Sequence, residues 1–176
     1  MFESLPDIPR LFTALAEWGA ALMYVFVVAR SASSNALNPN AAIPGWRIAA
    51  AAVGGLVVLV GAQELLGRAP LSLWVPGMMT AYALVWCVIR VGTALDWRWV
   101  THMSARAFIV AELAASLAWQ VVVYSHADKP FWHPASLCGY TAISATCLAV
   151  VYVCERLVVR QGALPVLRLA DLASAV

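Results

Sequence analysis

The sequence predicts an all-α fold, a polytopic bundle of about five membrane-spanning helices, and three observations carry that prediction. Hydrophobic residues make up 63% of the 176 residues and charged residues 11%, where soluble domains run near half and about a quarter. The apolar excess comes in blocks close to the roughly 20 residues that cross a bilayer as a helix. Short breaks rich in Ser, Asn, Pro, Trp and Arg separate the blocks.

The first span is 11–29, LFTALAEWGAALMYVFVVA, with Pro6 and Pro9 ahead of it, where a missing amide hydrogen costs a helix little. Arg30 and the run SASSNALNPN close it. The second span, 46–66, opens on Trp46 at an interface and ends on Gln63 and Glu64; Gly54, Gly55 and Gly61 suit close helix packing in lipid. Arg68 and Pro70 turn the chain into the third span, 71–92, whose early Pro76 bends the first turn rather than breaking the helix. GTALDWRWVTHMS reads as a loop holding Asp96, Arg98 and His102, with Trp97 and Trp99 as interfacial anchors. The fourth span is 106–124, SHADKPFWHP is the next loop, and the fifth span is 135–155, stopping at Glu155 and Arg156. The closing stretch 163–176 is apolar, broken by Arg168 and Asp171. It reads as an amphipathic interfacial helix or as the first turns of a sixth span in a longer protein. Residues 1–176 thus form a single transmembrane domain.

Arginines set the expected orientation. Arg30, Arg47, Arg90, Arg98, Arg106, Arg156, Arg160 and Arg168 fall on one side, and Arg10, Arg68 and Lys129 on the other. The positive-inside tendency puts the first group in the cytoplasm, with the N-terminus outside a cell membrane. A net charge of +2 with scattered basic residues excludes nucleic acid as a partner. Cys87, Cys138, Cys147 and Cys154 have no zinc or redox spacing and read as buried small hydrophobes. Glu3 and Asp7 precede the first Arg, so the N-terminus does not read as a secretory signal.

Ionisable groups inside spans are functional candidates, because a centred Asp costs about 2.5–3.5 kcal/mol on insertion. Glu17, Glu64 and Glu112 qualify. Glu17, Gln63, Glu64, Trp119 and Gln120 share one expected level near the outer face, below Arg10 and Arg68. Two readings stay open for them: an outward pocket for a peptide or small ligand, or hydrogen bonds that fix helix register. Glu112, Ser116 and Gln120 recur at steps of four on the fourth span. Glu112 is expected nearer the cytoplasm, with Arg90 or Arg106 as partner, or without charge. His126 and His133 around Asp128 match no metal spacing and read as a solvated loop. No Ser/His/Asp set, H-E-x-x-H or phosphate-cradling glycine loop occurs, so no catalytic residue, metal or cofactor is expected.

Three stretches together resemble a known family: IPRLFTALAEW (Ile8 to Trp18), LWVPGMMTAYAL (Leu73 to Leu84) and RAFIVAELAASLAWQ (Arg106 to Gln120). They are similar to the membrane input region of bacterial sensor histidine kinases with a GHKL-type ATPase, relatives of peptide-quorum-sensing receptors. ERLVVRQG (Glu155 to Gly162) resembles the charged exit after the fifth span there. The resemblance implies a homodimeric sensory module that reads an extracellular peptide or small molecule. It also implies a cytoplasmic kinase domain and a response regulator as partners. Ala118 stands where the family has an acidic residue before the Trp-Gln pair, and no phosphoacceptor-histidine segment or ATP-binding box lies within these residues. The alternative is a small transporter or substrate-binding membrane component lined by Glu17, Glu64 and Glu112, although the paired repeats common in transporters are not visible.

Overall fold

A computed structural model describes residues 9–34, 43–93, 95–125 and 133–160. They form five helices, α1 (Arg10–Ser34), α2 (Gly45–Leu66), α3 (Trp74–Thr93), α4 (Trp97–Ser125) and α5 (Pro134–Arg160), with one 3-10 turn at Leu71–Leu73 and no strand. All five are long and apolar enough to cross a membrane. The shortest, α3, has 20 residues, and at ~1.5 Å per residue it reaches the roughly 30 Å of a bilayer core. The expected sixth segment at 163–176 lies outside the described residues, as do His126 and Asp128.

The helix ends follow from local chemistry. Pro76 falls in the first turn of α3, after the 3-10 turn, where no intrahelical donor is lost. Pro134 opens α5, and His133 Nδ1 accepts the Ala135 N–H at 3.2 Å. At the other end of α3 the orphan carbonyls of Arg90 and Val91 accept from the Arg47 guanidinium at 3.1 and 2.7 Å. A cation from the start of α2 thus closes the negative end of α3's dipole.

α4 differs from expectation. It begins at Trp97, so the Trp- and Arg-rich stretch read as a loop is helix, and His102 lies on it. Asp96 is the residue type that favours a helix start, and its carbonyl accepts the Val100 N–H at 3.1 Å. The aromatic and charged residues that signalled an interface are the first turns of a helix rather than a break between helices.

α1 is the centre of the bundle, because it packs on each of the other four helices. Of its most apolar window 67% is buried, against 6% for α5. Small residues permit this: Ala14, Ala20 and Ala21 are fully buried. α2 meets the bundle along one stripe at steps of four, Ala51, Gly55, Leu59 and Gln63. The buried face of α4 is largely alanine, at positions 107, 111, 114, 115 and 118. With lipid as the competing solvent, such small-residue seams hold helices by close van der Waals approach. Gly92 is the tightest of these contacts, since a Cβ there would lie 2.6 Å from Val25 Cγ2 and 3.2 Å from Ala51 Cβ.

The outside is apolar. Val53, Val57, Met79, Ile109, Leu113 and Val150 all face outward, a surface that would aggregate in water and is ordinary against lipid tails. The cysteines belong to this picture rather than to the core. Cys87, Cys138 and Cys154 are exposed and Cys147 is half-buried, all four as free thiols. Their apolar sequence context marked lipid-facing positions as readily as buried ones.

Candidate functional site

Polar residues inside this bundle collect at its two ends, and α1 carries a member of each collection. At the Arg10 end, Glu17 is fully buried. Gln63, 3% exposed at the last turn of α2, donates through Nε2 to Glu17 Oε1 at 2.7 Å. The α2 stripe at steps of four delivers that amide, because Gln63 continues the line of Ala51, Gly55 and Leu59. Glu17 Oε2 and Glu112 Oε1 are buried without a hydrogen-bond partner. Glu112 lies close enough to Glu17 for their charges to interact, and Arg10 is its cationic neighbour.

The expected partners of Glu112 are engaged elsewhere. Arg106 forms an ion pair with Glu155, and Arg90 donates to the Leu95 carbonyl at 2.6 Å. Because α4 starts at Trp97, Glu112 lies near the middle of its helix, within reach of the Arg10 end. Ser116 is half-buried a turn further on, and Gln120 is exposed. Trp119 packs with Phe12, Ala118, Val122 and Tyr140, where Phe12 and Tyr140 meet edge to face with centroids 4.3 Å apart. Glu64 is exposed next to Gln63 in sequence but off the buried stripe. Of the sequence candidates, the fold gathers Glu17, Gln63 and Glu112 and leaves Glu64 and Gln120 outside.

A cavity of about 220 Å³ opens beside this cluster, between the start of α1 and the α2–α3 turn. Arg10 and Gln63 supply its polar groups, and Leu66, Leu73, Trp74 and Met78 are among its apolar walls. Gly67 lets Arg10 approach, since a Cβ at that position would sit 2.9 Å from Arg10 Cγ.

The second collection was not expected as a unit. Tyr24, two turns beyond Glu17 on α1, donates to Glu155 Oε1 at 2.9 Å, and the same oxygen pairs with Arg106. Glu155 is 6% exposed, so what reads in sequence as a charged helix end is a buried tie among α1, α4 and α5. Topology held the clue. Alternating spans bring the end of α1, the start of α4 and the end of α5 to the same side, where a carboxylate, a guanidinium and a phenol have each other as partners.

Between the two collections the packing is apolar. Ala20, Ala21, Leu22 and Met23 of α1, Leu59 of α2, Val85 of α3 and Ala111 and Ala115 of α4 belong to one buried cluster. Chemically, the Arg10 end can bind and orient a polar ligand, and the far end can latch helices together. No group of three or more metal-ligating side chains occurs among the described residues. The chain matches no family model, no curated protein and no solved structure.

Proposed function

We propose that the chain is a membrane-embedded sensory input module, in which occupancy of the Arg10 end is relayed along α1 to the Glu155 end. The observation that carries this reading is the double position of Gln63, which lines the cavity and donates to Glu17 on the central helix. A ligand that draws on the Gln63 amide changes the partner of a buried carboxylate. The cost of leaving that carboxylate unpaired gives the ligand leverage over the position of α1. Tyr24 rides on the same helix about 10 Å further along and holds Glu155 of α5. The resemblance to sensor histidine kinases fits this reading, with α5 as the exit toward a cytoplasmic kinase domain and the N-terminus outside.

A transport path has less support. The apolar layer around Leu59, Val85 and Ala111 separates the polar collections, and polar groups in transported-ion paths are expected to follow one another across the membrane.

Cys154 neighbours Glu155 and is exposed, which makes it a reporter of the far end. With the other three cysteines replaced by serine, the maleimide labelling rate of Cys154 is compared between the parent and Glu17→Gln or Gln63→Ala, in nanodiscs. A change of about fivefold or more is expected, the lower range of ordinary coupling free energies. Identical rates in folded variants would remove the relay. Separately, the coding sequence around this chain is expected to hold a histidine-kinase catalytic domain, and its absence there would overturn the kinase part.

A further inference from the structure

We infer that the cavity beside Arg10 is a binding site for a small anionic amphiphile, a carboxylate or phosphate group carried on an apolar chain. The inference rests on the sensory reading for its purpose and deepens it by naming the ligand class. Four observations meet here.

The first is an uncommitted cation. Arg10 lines the cavity, and its guanidinium makes no hydrogen bond or ion pair to any described residue. Arg47, Arg90 and Arg106, by contrast, are all bonded. A guanidinium offers five donors in a planar fork that matches a carboxylate or phosphate in two-point contact. The second is a buried amide, Gln63, at the inner wall, which presents a polar group to a ligand atom past the guanidinium.

The third is the character of the remaining wall. Leu66, Leu73, Trp74 and Met78 are apolar or amphipathic, and Trp74 and Leu73 are half-exposed at 55% and 49%, at the end of the bundle where interfacial side chains belong. A free inorganic anion gains nothing from that wall; a chain attached to it does. The fourth is size. About 220 Å³ lies below the roughly 300–1,000 Å³ of sites for drug-sized molecules, so the anionic head and the first methylenes enter and the rest follows the α2–α3 surface into lipid. The charge of Arg10 acts on Glu112, but no ion pair forms between the two.

The test uses octanoate and octyl phosphate as probes and octanol as the uncharged control, titrated calorimetrically into the protein in phosphatidylcholine nanodiscs. Saturable binding of both anions is expected, with octanol at least about tenfold weaker, the worth of one charged hydrogen-bonding contact. Arg10→Gln should weaken both anions by about the same factor. Octanol binding as tightly as octanoate, Arg10→Gln binding both anions unchanged, or no saturable binding at all would each overturn the inference. A second arm separates sources. Native mass spectrometry from mixed phosphatidylcholine–phosphatidylglycerol nanodiscs reads whether the anionic lipid is retained and displaced by octyl phosphate, which assigns the site to bilayer lipid; retention of neither lipid with intact octanoate binding assigns it to a soluble amphiphile. Equal retention of both lipids, indifferent to octyl phosphate, counts against any anion site. The Cys154 labelling comparison stands apart from these outcomes: it fails if the relay is wrong even where octanoate binds, and survives if only the ligand class is wrong.

Discussion

Gly92→Ala and Gly54→Ala are the same chemical change on two helices, and the structure gives them opposite signs. At Gly92 the new methyl would lie 2.6 and 2.9 Å from the two Val25 methyls and 3.2 Å from Ala51 Cβ, where carbon contacts settle at about 3.5–4.0 Å. Val25 is fully buried on α1 and β-branched, so it has few alternative rotamers in a helix, and relief requires α3 to move off α1 and α2 by roughly 1 Å. Overpacking of this kind costs about 1–3 kcal/mol, against a helix-propensity gain of at most about 1 kcal/mol. The net expectation is a loss of about 1–2 kcal/mol. At Gly54 nothing lies within 4 Å of the added atom, so only the propensity gain remains and stability holds or rises. Reversible unfolding in mixed micelles by titration with an ionic detergent reads both values. Removing the obstruction supplies the control: in a Val25→Ala background, Gly92→Ala should lose most of its cost, a non-additivity expected only of touching residues. Equal effects at the two glycines, or additivity with Val25→Ala, would refute the packing argument.

Other expectations follow from the polar ties. Tyr24→Phe removes one bond to the Glu155 carboxylate and should cost about 1 kcal/mol in the same unfolding assay. Arg106→Gln combined with Glu155→Gln should cost less than the sum of the two single changes, a coupling of about 0.5–1 kcal/mol for a pair whose arginine is half exposed. Glu17→Leu strands the Gln63 amide and should cost about 1–3 kcal/mol, whereas the pair Glu17→Leu with Gln63→Leu should recover part of that loss; no recovery would mean Gln63 has another partner. Arg47→Met uncaps the Arg90 and Val91 carbonyls and should cost about 0.5–1 kcal/mol, with Arg47→Lys restoring less than the whole because an ammonium lacks the two-point fork.

Block length and hydropathy made the five helices legible, since a bilayer imposes both on any segment that crosses it. Glu17 and Gln63 were legible as candidates for the related reason that polar groups are rare there. Their pairing needed the crossing of α1 and α2, which no residue pattern specifies. Glu64 shows the limit: it is as conspicuous in sequence as Gln63, and one residue of rotation, about 100° around the helix, puts it outside. The stripe Glu112, Ser116, Gln120 divides in the same way, with Glu112 and Ser116 half-buried and Gln120 exposed, because the face of α4 that enters the core is the alanine line, and alanine stands out in no apolar segment. Glu155 and Arg106 were read as membrane-edge charges, since their mutual distance depends on α4 beginning at Trp97 and on how α4 and α5 tilt. Arg10 was expected just above the level of Glu17, and its cavity was invisible because it is bounded by the shape of a turn.

Alanine lines both sides where α1 and α4 meet, with Ala16, Ala20 and Ala21 in one cluster with Ala107, Ala111 and Ala115. An alanine side chain has no rotamers to freeze or rearrange, so a step of one helix along the other re-forms a similar set of shallow contacts instead of unlocking interdigitated knobs. The seam is therefore a smooth bearing along its length. Its travel is limited at one end by Glu155 of α5, which Tyr24 of α1 and Arg106 of α4 both hold, while Gln63 on Glu17 ties α1 to α2. A bundle joined this way stores its resistance to sliding in a few buried polar bonds toward the two ends of its helices.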